Sequence, residues 1–244
     1  MIVHVLYHYT TNGDQRESSN GSHCPSVEEE RKMKKKVTPA FIVRTIINIA
    51  ALGLFVFLAI QQQIQLWFVI FLAGVVISFL LGRWYCGWVC PMYVLFRPIN
   101  WLYEKLGIKR FAKPSFLTRP LIRYIIVAVF LGFLVFQRMR GMQVPVLLFI
   151  TGIAVIITLF FEEELWHAHL CPFGTILSLT SRTAPLKMNI DSTQCTHCGV
   201  CTAVCPTDAV QLVETTEEID KHRCLTCFDC KRACPQGAIT YGKG

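Results

Sequence analysis

Residues 195–206 read CTHCGVCTAVCP, and residues 224–235 read CLTCFDCKRACP. Both stretches are C-x2-C-x2-C-x3-C-P. This is the spacing of a two-cluster bacterial ferredoxin, in which each run gives three thiolates to one 4Fe–4S cubane and its fourth Cys to the other. The pattern assigns Cys195, Cys198, Cys201 and Cys234 to one cluster, and Cys205, Cys224, Cys227 and Cys230 to the second. A zinc knuckle normally takes two Cys per run, and a disulfide framework does not explain the x2-x2-x3 rhythm. A short loop can wrap three corners of a cubane, and the proline turns the chain away after the fourth Cys. His197, inside the first run, reads as an exposed loop residue. Short strands are expected at 186–190, 210–213 and 239–241, with helical turns after Cys201 and Cys230. Ile190, Val200, Val210, Leu225 and Ile239 are the expected apolar shield.

The remainder of the 244 residues is of another kind. A bilayer-spanning helix takes about twenty apolar residues. Four runs approach that length, at 39–60, 66–82, 121–137 and 144–161, and too little amphipathic sequence is left to cover them in a soluble fold. The expected architecture is an α-helical membrane protein with four transmembrane helices, followed by a small α+β two-cluster ferredoxin domain. Its parts are a polar and basic tail (1–36), a membrane domain (37–181) and the ferredoxin domain (182–244). Residues 1–32 read as an unstructured tail or a start-site artefact ahead of Met33, and Cys24 as a bystander. Arg44, one turn into the first run, reads as a side chain that snorkels to the interface without a functional role.

Lys and Arg set the orientation. Arg31, Lys32 and Lys34 to Lys36 precede the first run, and Arg83, Arg97, Lys105, Lys109, Arg110, Lys113, Arg119 and Arg123 crowd the second connection. The first connection carries no charge, and the third only Arg138 and Arg140. The asymmetry predicts an inner, cytoplasmic membrane of a bacterium or archaeon, with both termini and the ferredoxin domain in the cytoplasm. The net charge of +8 is therefore mainly a topology signal and not a nucleic-acid footprint.

Other cysteines stand at the ends of the apolar runs. Residues 82–91 read GRWYCGWVCP and residues 164–174 read ELWHAHLCPFG. One offset of 81 residues pairs Cys86 with His167 and Cys90 with Cys171. The membrane part thus reads as a two-helix internal repeat, each copy ending in a Cys-Pro motif. Two copies on one side would bring Cys86, Cys90, Cys171 and His167 together as a possible third metal or iron–sulfur centre, with His169 a rival ligand. Buried or redox-active thiols are the other reading. Pro91 and Pro172 suit the first position of a following helix, whose positive end would face the thiols. Trp84, Trp88 and Trp166 read as interfacial anchors.

Through Gly87-Trp88-Val89-Cys90-Pro91 and the doubled ferredoxin run, residues 37–244 resemble the NapH/MauN family of membrane-bound ferredoxin-type proteins. The resemblance implies four spans, cytoplasmic ends and two 4Fe–4S clusters. It also implies electron transfer between the quinone pool, or a cytoplasmic donor, and a partner redox protein. The second membrane motif departs from the family pattern, keeping only Cys171. The sequence shows no G-x-G-x-x-G after a strand, so no NAD or flavin site is visible. It shows no haem c attachment motif. The reading is an electron-transfer subunit of a quinol dehydrogenase-like oxidoreductase complex and not a stand-alone enzyme. The alternative is a maturation factor that reduces a metal or disulfide in a partner enzyme.

Overall fold

The computed structural model describes residues 38–243, apart from 109, 112, 142, 143, 214 and 215. The tail at 1–36, with Cys24 and the basic run before the first helix, lies outside the described residues, as does Lys109.

Helix α1 (Pro39–Ile60) begins at Thr38, whose hydroxyl accepts a hydrogen bond from the Phe41 amide, with Pro39 at the first helical position. A 3-10 turn (Ile64–Leu66) leads into α2 (Trp67–Leu81). Helix α3 (Trp84–Trp88) is one short turn, and α4 (Pro91–Leu106) follows. Helix α5 (Pro120–Arg140) opens on a proline and closes on Gly141, whose φ of 65° is the left-handed conformation of a helix C-cap. Helix α6 (Val146–Phe160) completes the apolar set.

Three segments are long and apolar enough to cross a membrane: Pro39–Ile60, Ile64–Leu81 and Pro120–Arg140. Val146–Phe160 is as apolar but has 15 residues, short of a full span. All four turn bulky side chains outward, among them Ile49, Val69, Val129 and Phe149. In water such a surface would be unfavourable; against lipid it is the expected one. Hydroxyls inside the bundle bond back to their own helix, as Thr151 does to the Leu147 carbonyl and Thr158 to that of Ala154, both at 2.8 Å.

Beyond α6 the chain makes a π-helical turn (Leu165–Leu170), then α7 (Pro172–Thr180) and a 3-10 turn (Ser181–Thr183). The ferredoxin unit follows: β1 (Leu186–Ile190), α8 (Val200–Ala203), β2 (Val210–Val213), β3 (Thr216–Ile219), α9 (Asp229–Ala233) and β4 (Ile239–Lys243). Strands β1 and β4 pair antiparallel from Leu186↔Lys243 to Ile190↔Ile239, and β2 and β3 form a hairpin. The three expected strands are present, and β3 is additional. The helical turns contain Cys201 and Cys230 instead of following them. Of the expected shield, Val200, Val210, Leu225 and Ile239 are buried, while Ile190 is half-buried.

Candidate iron–sulfur and membrane-face site

The two cysteine loops share one backbone shape. In the first, His197 and Gly199 have φ of 53° and 71°. In the second, Thr226 and Phe228 stand at the same places, with φ of 54° and 63°. Left-handed residues on both sides of the middle Cys curl each loop around a central volume and aim successive amides inward. Some amides meet sulfur: the Ala209 N–H lies 3.2 Å from Cys205 Sγ, and that of Thr226 lies 3.5 Å from Cys224 Sγ. Cys195, Cys198, Cys201 and Cys234 line one small enclosed cavity, beside Val200 and Ile239. Cys205 lies within charge reach of Cys224, Cys227 and Cys230, and burial pushes the Cys224 thiol up to about 11, with Cys205 adding to the shift. Among the described residues, no three His, Cys, Asp or Glu side chains close on a single ion. A four-iron cubane needs a wider cage than one ion does, and eight cysteines outside any disulfide, in two curled loops, fit that group.

The loops differ in their surroundings. In the first, Ser192, Thr193, Gln194 and His197 are exposed. The second is pressed against the membrane helices, and Leu225 and Cys227 belong to the same apolar core as Phe71, Tyr85 and Phe96. Gly87 shows how tight this contact is. A Cβ there would lie 2.6 Å from the Leu225 carbonyl oxygen and 3.1 Å from the Cys227 Cα, both backbone atoms that cannot swing away. Trp88 Nε1 donates to the Thr226 carbonyl at 3.1 Å, and its ring meets that of Phe228 edge-on. Tyr241 donates to the Leu81 carbonyl at 2.9 Å. Trp88 and Trp166 are buried, so these two are packing residues and not the interfacial anchors the sequence suggests.

Arg44 also departs from its sequence reading. It does not snorkel; it is 2% exposed. Its guanidinium donates to Asp229 at 2.9 Å and to the Cys227 carbonyl. Asp229 also takes Arg97 at 2.8 Å, Arg232 at 3.3 Å and the Tyr93 hydroxyl at 2.8 Å. Burial raises the Asp229 carboxyl, but Arg97 and Arg44 together hold it below the usual range. One carboxylate inside the second cysteine loop thus gathers guanidiniums from α1 and α4. Lys113 makes a second tie, bridging Glu164 at 2.6 Å and Asp208 at 3.8 Å.

Cys90 and Cys171 each cap a helix that starts on proline, as the motifs predict. Cys171 Sγ accepts from the Gly174 amide at 3.3 Å. Cys86, Cys90 and Cys171 lie within charge reach of one another in the buried core, and burial pushes Cys171 up to about 12. Arg83 sits beside them, 2% exposed. It donates to the carbonyls of His222 and Arg223, reaches Cys86 Sγ at 3.8 Å, and has no acidic partner among the described residues. The His167 ring packs against Phe96, its centroid 5.1 Å away, and its Nε2 has no hydrogen-bond partner. Burial, with Arg83 adding, lowers its pKa to about 3, so the imidazole stays neutral, the form that binds metals. His169 is buried in the same turn.

Comparison with known proteins bears on both halves. A model described as a 4Fe-4S binding domain matches twice, at residues 63–109 and 143–190. A 4Fe-4S dicluster model matches 187–237. The methylamine utilization ferredoxin-type protein MauN of Paracoccus denitrificans is 28% identical over 137 residues, 51% of this chain and 48% of that protein. The ferredoxin-type protein NapH of Haemophilus influenzae is 31% identical over 137 residues, 50% of this chain and 47% of that protein. The chain is similar to the NapH/MauN-type ferredoxin proteins in both its apolar and its cysteine-rich parts. An uncharacterized protein of Methanocaldococcus jannaschii is 27% identical over 178 residues, 69% of this chain and 68% of that one. The matched stretch spans about half the length of the MauN and NapH relatives. No solved structure matches. The family-model matches and the eight motif cysteines give the chain two 4Fe–4S clusters, and three of its helices have the length and composition to cross a membrane.

Proposed function

We propose that this chain is a multi-pass subunit of the cytoplasmic membrane that moves electrons between the quinone pool, or a cytoplasmic donor, and a partner redox protein. The observation that carries the reading is the seating of the second cysteine loop on the membrane helices at Gly87, Trp88 and Arg44. It makes the ferredoxin unit part of the membrane body. The cubane of Cys205, Cys224, Cys227 and Cys230 is the membrane-side cluster, and that of Cys195, Cys198, Cys201 and Cys234 faces the soluble partner. The bound clusters supply one-electron storage; the chain supplies their spacing, their burial and the surrounding arginines.

Four spans with a two-helix repeat are part of the proposal. The twofold match at 63–109 and 143–190 supports it, as does the shared position of Cys90 and Cys171 just ahead of a helix that starts on proline. The Lys/Arg bias supports a cytoplasmic ferredoxin unit. A third centre held by Cys86, Cys90, Cys171 and His167 is part of the proposal on the strength of the unpartnered His167 Nε2 beside these thiols, although the side chains as they stand do not close on a single ion. The same free thiols favour a second reading, in which the chain is a maturation factor that reduces a metal or disulfide in a partner enzyme.

Full-length protein purified without oxygen tests the reading. Two cubanes require about eight iron and eight sulfide per chain, and the third centre requires metal beyond that. In membranes, the cubane signals should respond to added quinol or quinone. Cubanes that chemical reductants reach but no quinone or redox protein does would refute the electron-transfer role and leave maturation.

A further inference from the structure

We propose that Arg83 is a positioning residue that sets the membrane-side cubane at a higher reduction potential than the outer one. The proposal deepens the electron-transfer reading above and rests on its assignment of Cys205, Cys224, Cys227 and Cys230 to the membrane side.

Among the described residues, Arg44 and Arg83 are the buried arginines, each 2% exposed. Arg44 has its carboxylate, Asp229, at 2.9 Å. Arg83 has none among the described residues. Its Nη1 donates to the carbonyls of His222 at 2.9 Å and Arg223 at 3.2 Å. Its Nη2 donates to the His167 carbonyl at 3.4 Å and reaches Cys86 Sγ at 3.8 Å, while its Nε has no partner. Carbonyl dipoles satisfy N–H groups but do not cancel a whole charge. A buried cation is costly unless an opposite charge stands near it. The anion that fits is the cluster. A cubane on four thiolates is negatively charged, and reduction adds one more negative charge. His222 and Arg223 immediately precede Cys224, so the guanidinium is clamped to the start of the second cysteine loop. Its charge is felt at the Cys224, Cys86 and Cys171 thiols.

The backbone builds the slot for this side chain. Gly82, at φ 72°, ends α2 in a conformation that favours glycine, and Arg83 follows as the N-cap of α3. Gly174 stands across the slot. A Cβ there would lie 2.7 Å from Arg83 Nη2. Three carbonyls already hold the guanidinium, so it has little freedom to give way.

The charges beside the two loops differ in sign. Near the second, Arg44, Arg97 and Arg232 share the single carboxylate of Asp229. Half-buried Arg123 lies within charge reach of Arg83, Arg223 is paired with Asp220 at 3.6 Å, and Asp208 with Lys113 at 3.8 Å. Near the first, Glu217 lines the cavity that Cys195, Cys198, Cys201 and Cys234 share. Burial, with Glu217 adding, raises the Cys201 thiol to about 11. A buried cation favours an added electron and an anionic neighbour opposes it, most strongly where water is excluded. A single electron on the chain therefore rests on the membrane-side cubane.

The test is a potentiometric titration of the full chain with its cubanes, in nanodiscs without oxygen, followed by electron paramagnetic resonance. Cys205→Ala, which spares the outer cubane, identifies each signal. In the wild-type protein the membrane-side signal should appear first. Arg83→Gln keeps a donor for the carbonyls and removes the charge. It should lower the reduced-to-oxidised ratio of the membrane-side cubane at least tenfold at fixed ambient potential, about 59 mV for a one-electron couple. The outer cubane should not move. Arg83→Lys keeps the charge and loses the planar fork, and should restore most of the ratio. An unchanged ratio in Arg83→Gln, an equal shift of both cubanes, or an Arg83→Lys protein no better than Arg83→Gln overturns the role of the charge and leaves electron transfer standing. Where Arg83→Gln takes up no membrane-side cubane, reduction of the outer cubane first in the wild type overturns it. Failure of the electron-transfer reading shows separately, as cubanes that titrate in this order yet exchange electrons with no quinone or redox protein.

Discussion

Replacing Asp229 by Asn should loosen the ferredoxin unit from the membrane helices. The substitution keeps the shape of the side chain and removes the carboxylate charge shared by Arg44, Arg97 and Arg232. Removing one partner of a buried ion pair costs about 3–5 kcal/mol, because the remaining charge is left unpaired in a poor solvent. Here the side chains of Arg44 and Arg232 are 3% and 15% exposed, while that of Arg97 is 42% exposed and can turn to water. The low end, about 3 kcal/mol, is therefore appropriate, and it lowers the docked-to-undocked ratio by about a hundredfold. Hydrogen exchange on the full chain reads this as faster exchange of the amides at 225–230. Iron and sulfide content must be followed in parallel, since Asp229 adjoins Cys230. Adding Arg44→Met should restore much of the protection, because it removes the most deeply buried unpaired cation. Unchanged protection in the single variant, or purely additive effects in the double variant, would show that the carboxylate does not hold the two units together.

Further expectations concern the cysteines and the contact at Gly87. Cys205→Ala should damage the cubane of Cys224, Cys227 and Cys230 and spare the one beside it in sequence, which spectra of the reduced protein can resolve; loss of the Cys195 cubane instead would refute the crossed ligation. Gly87→Val should cost about 1–3 kcal/mol of overpacking and open the same 225–230 amides; normal exchange there would mean the loop yields without separating. Cys90→Ala or Cys171→Ala should lower total metal below the wild-type value while both cubane signals remain, and metal content equal to wild type would leave those thiols without a bound centre.

Much of this molecule was legible in its sequence because cluster ligation is local. Cys195 to Cys201 and Cys224 to Cys230 must close loops of fixed length around one body, so their spacing announces it. The three long apolar runs were legible for a similar reason, since a helix able to cross lipid must be apolar along its own length. Strand β3 was missed because Thr-Glu-Glu-Ile at 216–219 offers little apolar alternation. Its pairing with β2 comes from the hairpin and not from side-chain pattern. Arg44 was misread because a lone arginine near a helix start is usually solvated by the interface, and its true partner is 185 residues away. Trp88 was misread for the same reason, its acceptor being the Thr226 carbonyl, 138 residues on.

The join between the two units consists of a 3-10 turn, Ser181–Thr183, followed by Ala184 and Pro185. Ser181 is buried, and the Thr180 hydroxyl hydrogen-bonds to Ser78 of α2. Five residues, anchored at their start by buried Ser181 and by Thr180, are too few for a long tether. The ferredoxin unit cannot pick up an electron at the bilayer and carry it by swinging out to a distant acceptor. On the proposed electron-transfer reading, donor and acceptor can be bound at once on separate faces. Steady-state kinetics with both partners varied should show converging lines in double-reciprocal plots, not the parallel lines of a shuttle that visits one partner at a time.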